Sequence, residues 1–355
     1  MHNGVATPVF GLTKEQLWPI VEGAAGEPVM SFEISVEHEV VGHYGYAADK
    51  LVPTFSYTAL SGRTGRCPVF AKRFHREGSC EADHYAVLAE CQAPIPRMYG
   101  SLSSPNGREI IFLEYLEPIG DLYPFQRFLS EAGRFEQFLA VAAHLNSVRL
   151  PARDAARLPG VEPVRRLIKA VSELAITWHL GREGKLGDNL KTLCTGDQEG
   201  LLKLQALARE LTEPVGQMPR GLCHNDFYPD STAWRRQPRE LVAVDLESLG
   251  FAPRFLDVAR WLGAPEEVQP RPCPLDQLVG HYAGEYARRS GHAVSAGQLV
   301  EEARQLWTAH SLSFHWWWRE RALDGEVDWT DDVGEGRRVC RDALCTELQA
   351  LLDRI

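Results

Sequence analysis

The sequence lacks several features that mark particular classes of protein. No stretch approaches the ~18 consecutive apolar residues that a membrane span requires, and the N-terminus MHNGVATPVFG has neither the basic nor the apolar region of a signal peptide. The eight cysteines include no C-x-x-C pair, and a chain of 355 residues is long enough to form its core without disulfides. We therefore expect reduced thiols, a cytoplasmic location and no membrane partner.

An excess of positive charge is absent as well. The formal net charge is −10, whereas proteins that bind nucleic acid through its phosphates present basic patches. We therefore expect no nucleic acid partner. The negative charge is compatible with a cationic small-molecule ligand, although it does not require one.

The chain divides into a β-rich first part and a helical second part. Capping-box residues Thr13 and Gln16 predict a helix over 13–23. Segments rich in Val, Phe, Tyr and Thr predict strands over 31–41, 51–62, 67–74 and 109–116, and a helix is predicted over 79–90. Apolar residues at a 3.6-residue spacing predict a helix over 163–180, and further helices are expected over 134–148, 200–212 and within 265–355. The sequence thus predicts a β-rich domain joined at about residue 115 to a larger helical one.

The segment GLCHNDFYPDSTAW (221–234) and the strand LVAVD (241–245) carry acidic and polar side chains into an otherwise apolar region. A hairpin centred near Pro238 would place Ser231 opposite Asp245 in antiparallel register. Carboxylate and hydroxyl oxygens at one end of a hairpin suit Mg²⁺, which takes a few protein oxygens and completes its shell with phosphate and water. Asp226, on the loop before the hairpin, is a candidate to accept a proton from an attacking hydroxyl.

HNDFYPDS followed by VDLE resembles the H-x-D-x-x-x-x-N … D-x-E pattern of the aminoglycoside phosphotransferase and choline kinase family, small-molecule relatives of protein kinases. The resemblance implies a protein-kinase-like, two-lobed α+β fold. Residues 1–114 would be the nucleotide-binding lobe, with a β-sheet and one paired helix. Residues 115–355 would be a mainly helical lobe with the catalytic loop, metal site and acceptor pocket. The implied activity is transfer of the γ-phosphate of ATP or GTP to a small-molecule hydroxyl, with Mg²⁺.

Within the motif, the resemblance assigns a role to each polar residue. Asp226 is the catalytic base, Asp245 is the main Mg²⁺ ligand, and position 231 is the second ligand position. His224 supports the catalytic loop. FLDVARWLG (255–263) is similar to another conserved element of the family, in which Asp257 braces that loop.

Further matches lie in the first part of the chain. Lys72 in VFAKRF matches the strand lysine that binds the α- and β-phosphates, and Glu81 matches the helix glutamate that pairs with this lysine. FLEYLE (112–117) resembles the hinge whose backbone holds the nucleotide base, at Glu114, Tyr115 and Leu116. The matched elements span roughly residues 30–263 in order.

Two departures from the family pattern stand out. Ser231 occupies a position where the family has asparagine, and three readings follow: the hydroxyl binds the metal, Asp230 replaces it, or the metal site is weakened. The third reading leads to a nucleotide-binding pseudokinase. The segment VGHYGY contains Gly42 and Gly45 but no G-x-G-x-x-G, so it is a weak match to a phosphate-covering loop.

The acceptor is open between an aminoglycoside-like antibiotic, an amino alcohol and a sugar. The acidic run 324–335 favours a cationic acceptor if it faces the pocket, and is a solvated loop otherwise. Trp307, Phe314 and Trp318 share one predicted helix face, which is typical of core packing and would also suit a wall of the acceptor pocket.

Overall fold

The chain has an α+β fold, and in the computed structural model it divides into two compact units. Unit 1 comprises Met1–Gly120 and Asp230–Glu247, and unit 2 comprises Asp121–Pro229 and Ser248–Ile355. The structure describes residues 7–39, 48–75, 79–118, 132–160, 198–323, 328–330 and 338–340. No helix in these ranges is long and apolar enough to cross a membrane.

Unit 1 contains most of the strands. Its elements in chain order are α1 (Lys14–Ala25), β1 (Val29–Glu39), β2 (Ala48–Ala59), β3 (Thr64–Phe74), α2 (Glu81–Glu90), β4 (Met98–Ser103), β5 (Glu109–Glu114), β6 (Glu117–Pro118), β8 (Thr232–Arg235) and β9 (Glu240–Ala243). Five strands form an antiparallel sheet in the order β1-β2-β3-β5-β4, and β6, β8 and β9 form a second sheet in the order β6-β8-β9. The strands and helices predicted for this part of the chain are present, with ends shifted by a few residues.

Helix α1 shows how local sequence sets an element's ends. The Thr13 hydroxyl accepts a hydrogen bond from the Gln16 amide, and the Gln16 side chain accepts one from the Thr13 amide, which confirms the predicted capping box. The helix ends at Gly26, whose left-handed backbone (φ 74°) suits a residue without Cβ. Trp18 on this helix packs edge to face against Phe32 of β1, with ring centroids 5.2 Å apart, so α1 covers one face of the sheet.

The sheet fixes the position of Lys72. This residue lies on β3, a central strand, opposite Lys50 of β2 and Ile111 of β5. Its neighbours Ala71 and Val69 are fully buried. A lysine on a central, covered strand has little access to water, so its ammonium depends on nearby carboxylates.

The hairpin β8–β9 belongs to unit 1. β8 pairs with β6, bringing Glu117 opposite Trp234, and the Ala243 amide donates to the Pro94 carbonyl at 2.7 Å. The boundary predicted between residues 114 and 115 had instead assigned this hairpin to the second domain. Backbone pairing between segments more than 100 positions apart in sequence accounts for the difference.

Unit 2 contains most of the helices. Its elements are α3 (Ala132–Ser147), α4 (Ala152–Ala155), α5 (Gln198–Gln217), β7 (Arg220–Cys223), β10 (Gly250–Pro253), a 3₁₀ turn (Leu256–Val258), a π-helical turn (Ala259–Gly263), α6 (Leu275–Ser290), α7 (Ala296–Leu323), β11 (Asp328–Thr330) and β12 (Arg338–Cys340). β7 pairs with β10 in antiparallel register. The predicted helix 163–180 lies outside the described residues.

An aromatic cluster forms much of the described core of unit 2. Phe138 of α3 stacks on Phe227 with centroids 4.5 Å apart, and it meets Trp261 edge to face at 5.3 Å. Gly263 allows α7 to come close, because a Cβ at this position would collide with the backbone of Ala303. These contacts hold the segment after β10 against α3 and α7.

Candidate functional site

Asp245 lies two residues after the end of the hairpin β8–β9. Arg235 pairs with Glu240, so the turn is centred between residues 237 and 238, and Ser231 lies opposite Val244, whose amide donates to the Ser231 carbonyl at 2.9 Å. The predicted alignment of Ser231 with Asp245 was therefore wrong by one residue, because the expected turn centre was displaced by half a position. Asp245 follows this pairing in a left-handed conformation, with φ 62°.

Lys72 joins two carboxylates of unit 1. Its Nζ lies 2.6 Å from Oε2 of Glu81, at the start of α2, and 2.6 Å from Oδ1 of Asp245. Lys72 and Glu81 are buried, whereas the side chain of Asp245 is 53% exposed. Charge-assisted hydrogen bonds of this length are among the strongest polar contacts in proteins.

The pKa values follow from this arrangement. Burial alone lowers the pKa of Lys72, but the carboxylates of Glu81 and Asp245 outweigh burial and raise that pKa above its ordinary value. Burial raises the pKa of the Glu81 carboxyl, against the attraction of the Lys72 ammonium. Lys72 therefore stays protonated, and its charge compensates the buried Glu81.

Helix α2 also holds the backbone just after Asp245. The amide of Leu246 donates to Oε1 of Glu81 at 3.2 Å, and Nδ1 of His84 donates to the Leu246 carbonyl at 2.7 Å. His84 and Leu246 are both buried. The sequence analysis gave His84 no role, and its position three residues after Glu81 was the available signal, since residues at this spacing share a helix face.

Glu247 is another residue to which the sequence analysis gave no role. Ligand atoms of Glu81, Asp245 and Glu247 all lie within 4.8 Å of one another, and Asp245 and Glu247 are exposed. The D-x-E spacing of the motif was the signal for this residue. Ser231, by contrast, is buried, with 7% of its surface exposed, whereas Asp230 is exposed.

The hinge candidates are Glu114, the last residue of β5, and the two residues after it. The Glu114 amide donates to the Arg97 carbonyl at 2.8 Å. The Glu114 carboxylate accepts hydrogen bonds from Nε and Nη2 of Arg235, each at 2.9 Å. Arg235 also donates to the Ile95 carbonyl at 2.7 Å and pairs with Glu240. The Glu114 side chain thus ties the hinge to β8, and Tyr115, at 36% exposure, is solvent-accessible.

In unit 2, a buried carboxylate organises the loop that carries Asp226. Oδ2 of Asp257 accepts hydrogen bonds from the His224 amide and from Nδ2 of Asn146, each at 2.8 Å, and Oδ1 accepts one from the Asn225 amide at 2.9 Å. Tyr282 donates to Oδ1 of Asn146 at 2.8 Å. Burial raises the pKa of Asp257, and the charge of His224 and these hydrogen bonds oppose that rise.

Asp226 itself is exposed at the tip of this network. Asn225 before it has a left-handed backbone (φ 67°), and its Nδ2 donates to the carbonyls of Cys223 at 3.1 Å and Ser248 at 2.8 Å. His224 is fully buried, with its ring edge to face with Phe227 at 5.7 Å. Asn146 and Tyr282 were missed by the sequence analysis because nothing in their local sequence distinguishes them from ordinary helix residues.

A cleft of about 360 Å³, including open solvent, borders this loop within unit 2. Its polar lining includes Asn225, Arg260 and His310, and Tyr228 and Trp261 supply aromatic walls with centroids 6.1 Å apart. Cys223, next to the motif, is buried, and burial raises the pKa of its thiol well above the ordinary value. Full burial and a raised pKa are typical of a core cysteine.

Several predicted features lie outside the described residues. They are Gly42 and Gly45, the acidic run 324–335 except the backbone of Asp328–Thr330, and the side chains of Phe314 and Trp318. Trp307 is described, and its side chain is buried in unit 2, as core packing predicts.

Solved structures with a similar fold include small-molecule kinases and phosphotransferases by name. Plasmodium vivax ethanolamine kinase shares 13% identity over 90% of this chain and 82% of its own, with a TM-score of 0.56. A spectinomycin phosphotransferase solved with ADP and spectinomycin shares 11% identity over 98% of this chain and 100% of its own, with a TM-score of 0.54. A macrolide 2′-phosphotransferase from Brachybacterium faecium shares 14% identity over 92% of this chain and 96% of its own, with a TM-score of 0.51. These likenesses confirm the predicted two-lobed, protein-kinase-like fold class.

No curated protein sequence matches the chain at a significant level. The model of the phosphotransferase enzyme family, however, matches residues 62–293, which is more than half of the chain. The matched range contains Lys72, Glu81, Asp226, Asp245 and Asp257. The chain therefore belongs to the phosphotransferase enzyme family and is a small-molecule phosphotransferase.

Proposed function

We propose that the protein is a Mg²⁺-dependent kinase that transfers the γ-phosphate of ATP or GTP to a hydroxyl group of a small molecule. The observation that carries this proposal is the position of Lys72, whose Nζ lies 2.6 Å from both Glu81 and Asp245. A buried ammonium shared between a helix glutamate and an exposed aspartate suits the binding of nucleotide phosphates beside a metal. Reduced thiols at Cys67, Cys80 and Cys223 suit a cytoplasmic enzyme.

Unit 1 binds the nucleotide in this proposal. Lys72 binds the α- and β-phosphates, and Glu81 holds the lysine in place. Backbone groups of Glu114, Tyr115 and Leu116 hold the base; the Glu114 carboxylate is already occupied by Arg235. The base-holding contacts are therefore main-chain contacts, which accept adenine or guanine without a dedicated side chain.

The acidic residues beside Lys72 fit Mg²⁺. Carboxylate oxygens are the ligands that this hard cation prefers, and Asp245 and Glu247 are both exposed with ligand atoms within 4.8 Å. Bound Mg²⁺ neutralises charge on the phosphates. Asp245 is the main ligand, Ser231 is the second ligand named by the sequence motif, and the exposed Asp230 and Glu247 are alternatives to the buried Ser231 hydroxyl.

Asp226 is the catalytic base. Its exposed carboxylate accepts the proton of the attacking hydroxyl, and its position depends on the loop that Asp257 holds through the amides of His224 and Asn225. His224 and Asp257 are supporting residues in this scheme, because both are buried and bonded within the protein.

The acceptor is a small molecule, and we favour a cationic one, such as an aminoglycoside-like antibiotic, over a neutral sugar, with an amino alcohol as the alternative. The net charge of −10 supports a cationic acceptor. The solved structures include an ethanolamine kinase and antibiotic phosphotransferases at 11–14% identity, so they do not choose among these acceptors.

A nucleotide-binding pseudokinase is the second candidate. Ser231 stands where the family has asparagine, and its side chain is buried, which favours a weakened metal site. A Ser231→Asn variant tests whether position 231 limits the metal site. It raises turnover or tightens Mg²⁺ binding if position 231 is limiting, and it changes nothing if the protein is an inactive scaffold for other reasons.

The test is a screen of aminoglycosides, amino alcohols and sugars with ATP and with GTP, in Mg²⁺ and in EDTA. We expect a gain in acceptor mass of one phosphate, dependent on Mg²⁺, in the wild type but not in Asp226→Asn. Nucleotide binding without transfer to any acceptor, and without nucleotide hydrolysis, would support the pseudokinase. The absence of nucleotide binding would contradict both.

A further inference from the structure

The backbone at Asp245 needs support from its surroundings. Asp245 adopts φ 62°, a left-handed conformation that residues other than glycine rarely adopt. Aspartate tolerates this conformation better than most residues do. Such conformations persist when neighbouring contacts fix them, and they concentrate at functional sites. The contacts that fix this one lie on both sides: Val244 is bonded to Ser231, and Leu246 is bonded to α2.

Both backbone polar groups of Leu246 are taken by α2. Glu81 accepts the hydrogen bond of the amide at 3.2 Å, and His84 donates to the carbonyl at 2.7 Å. Leu246 and both side chains are buried, so water does not replace either bond at low cost. The two residues are three positions apart on α2, which places them on one helix face.

The remaining polar atom of the histidine is Nε2. A carbonyl oxygen only accepts, so Nδ1 of His84 carries the proton and Nε2 is an acceptor. Among the residues that the structure describes, no donor bonds this Nε2. Within the described ranges, this buried imidazole therefore makes its hydrogen bond to the Leu246 carbonyl.

We propose that His84 is a positioning residue for Asp245: with Glu81 it clamps the peptide groups of Leu246 to α2 and so holds the Asp245 carboxylate in the orientation that binds the metal and nucleotide. This inference rests on the proposed function for the role of Asp245 in metal binding. The clamp itself rests on the two hydrogen bonds alone.

The test compares three substitutions in the full chain. His84→Leu removes the donor and keeps an apolar side chain of similar bulk. His84→Asn places an amide Nδ2 where the histidine Nδ1 lies, so it restores the donor. His281→Leu is the matched control, because His281 makes a similar 2.9 Å contact with the Glu136 carbonyl within unit 2 and has no part in the proposed site.

The first readout is hydrogen exchange of a peptide covering residues 244–248, which requires neither nucleotide nor metal. We expect about tenfold faster exchange in His84→Leu, near wild-type exchange in His84→Asn, and no change there in His281→Leu. Unchanged exchange in His84→Leu would overturn the clamp. If His84→Leu does not fold, His84→Gln takes its place, because its amide reaches the Nε2 position and misses the carbonyl.

The second readout is the affinity for ATP with Mg²⁺ and with EDTA. We expect His84→Leu to weaken Mg²⁺–ATP binding about tenfold, with a much smaller effect on metal-free ATP and with recovery in His84→Asn. Equal weakening in both conditions, or no recovery in His84→Asn, would mean that His84 serves packing only. If the wild type binds no nucleotide, the proposed function fails, and the exchange experiment still decides whether the clamp exists.

Discussion

Each unit has an exposed candidate aspartate at, or directly after, a residue with a left-handed backbone, but the two units hold it by different means. In unit 1, Asp245 has φ 62° and its carboxylate is bound by the Lys72 ammonium. In unit 2, Asp226 follows Asn225, with φ 67°, and the loop is bound through neutral donors to the buried carboxylate of Asp257. Charge pairing thus holds the Asp245 carboxylate itself, whereas hydrogen bonds to Asp257 hold the backbone just before Asp226.

This difference indicates whether a substitution in each loop should affect folding or ligand binding. Half of the Asp245 side chain is exposed, and Lys72 keeps its pairing with Glu81 without it, so loss of the Asp245 carboxylate should affect binding more than folding. Water cannot easily reach the donors around Asp257, because that residue is buried. Substitution of Asp257 in unit 2 should therefore affect stability most, and substitution of Asp245 in unit 1 should affect ligand binding most.

The largest effect should come from Asp257→Ala. This change leaves three donors without an acceptor: the amides of His224 and Asn225 and the side chain of Asn146. We expect the free energy of unfolding to fall by about 3 kcal/mol or more, measured by urea denaturation. Asp276→Ala, at an exposed residue of the same unit, is the control. An equally small loss of unfolding free energy in both variants would contradict the proposal that Asp257 braces the loop.

Asp226→Asn should affect the reaction and leave the fold intact. Its carboxylate is exposed, so we expect little change in stability or nucleotide affinity, and a fall in kcat of at least about 100-fold, because a positioned base is lost. Steady-state kinetics with the best acceptor measures this. Turnover close to wild type would remove Asp226 from the mechanism.

Glu114→Gln tests the tie between the hinge and β8 in unit 1. Both Glu114 and Arg235 are largely buried, so we expect the free energy of unfolding to fall by about 1–2 kcal/mol. Glu117→Gln is the control, because its pair with Arg236 is exposed and should contribute less than about 0.5 kcal/mol. Similar losses of unfolding free energy in the two variants would show that the buried pair of Glu114 and Arg235 stabilises the protein no more than the exposed pair does.

The smallest effect concerns pH and His144 of α3 in unit 2. Burial, followed by the charges of Arg289 and Arg288, lowers the pKa of His144 from its ordinary 6.5 to about 4. The unfolded chain therefore binds a proton between pH 6.5 and about 4 that the folded chain does not, so stability falls as the pH is lowered through this window. His144→Gln should show a shallower fall in melting temperature over that range, and identical slopes in the two proteins would contradict this.

Sequence patterns predicted the elements whose signals are local. The alternating strands around Lys72, the helix that begins near Glu81 and the capping box at Thr13 all depend on residues within one turn or one strand of each other. The short strands β4, β7 and β10 were missed. β4 contains Gly100 and two serines, and β7 and β10 have only four residues each, which leaves no alternation to recognise.

The site depends on contacts that the local sequence does not encode. The register of the β8–β9 hairpin differs by one residue from the prediction because turn geometry, and not the strand residues, sets it. The contact of His84 with Leu246 joins residues 162 positions apart, and that of Asn146 with Asp257 joins residues 111 positions apart. The roles of Lys72, Glu81, Asp226, Ser231, Asp245 and the hinge stay predictions that need biochemical tests.

The most direct test of the central proposal is calorimetric titration of wild type and Asp245→Ala with ATP and GTP, each in Mg²⁺ and in EDTA. We predict that wild type binds at least one Mg²⁺–nucleotide. Asp245→Ala should weaken that binding by at least about tenfold in Mg²⁺ and have little effect in EDTA, because the carboxylate acts through the metal. Equal affinities of the two proteins for Mg²⁺–nucleotide would contradict the assignment of Asp245 and, with it, the proposed nucleotide site.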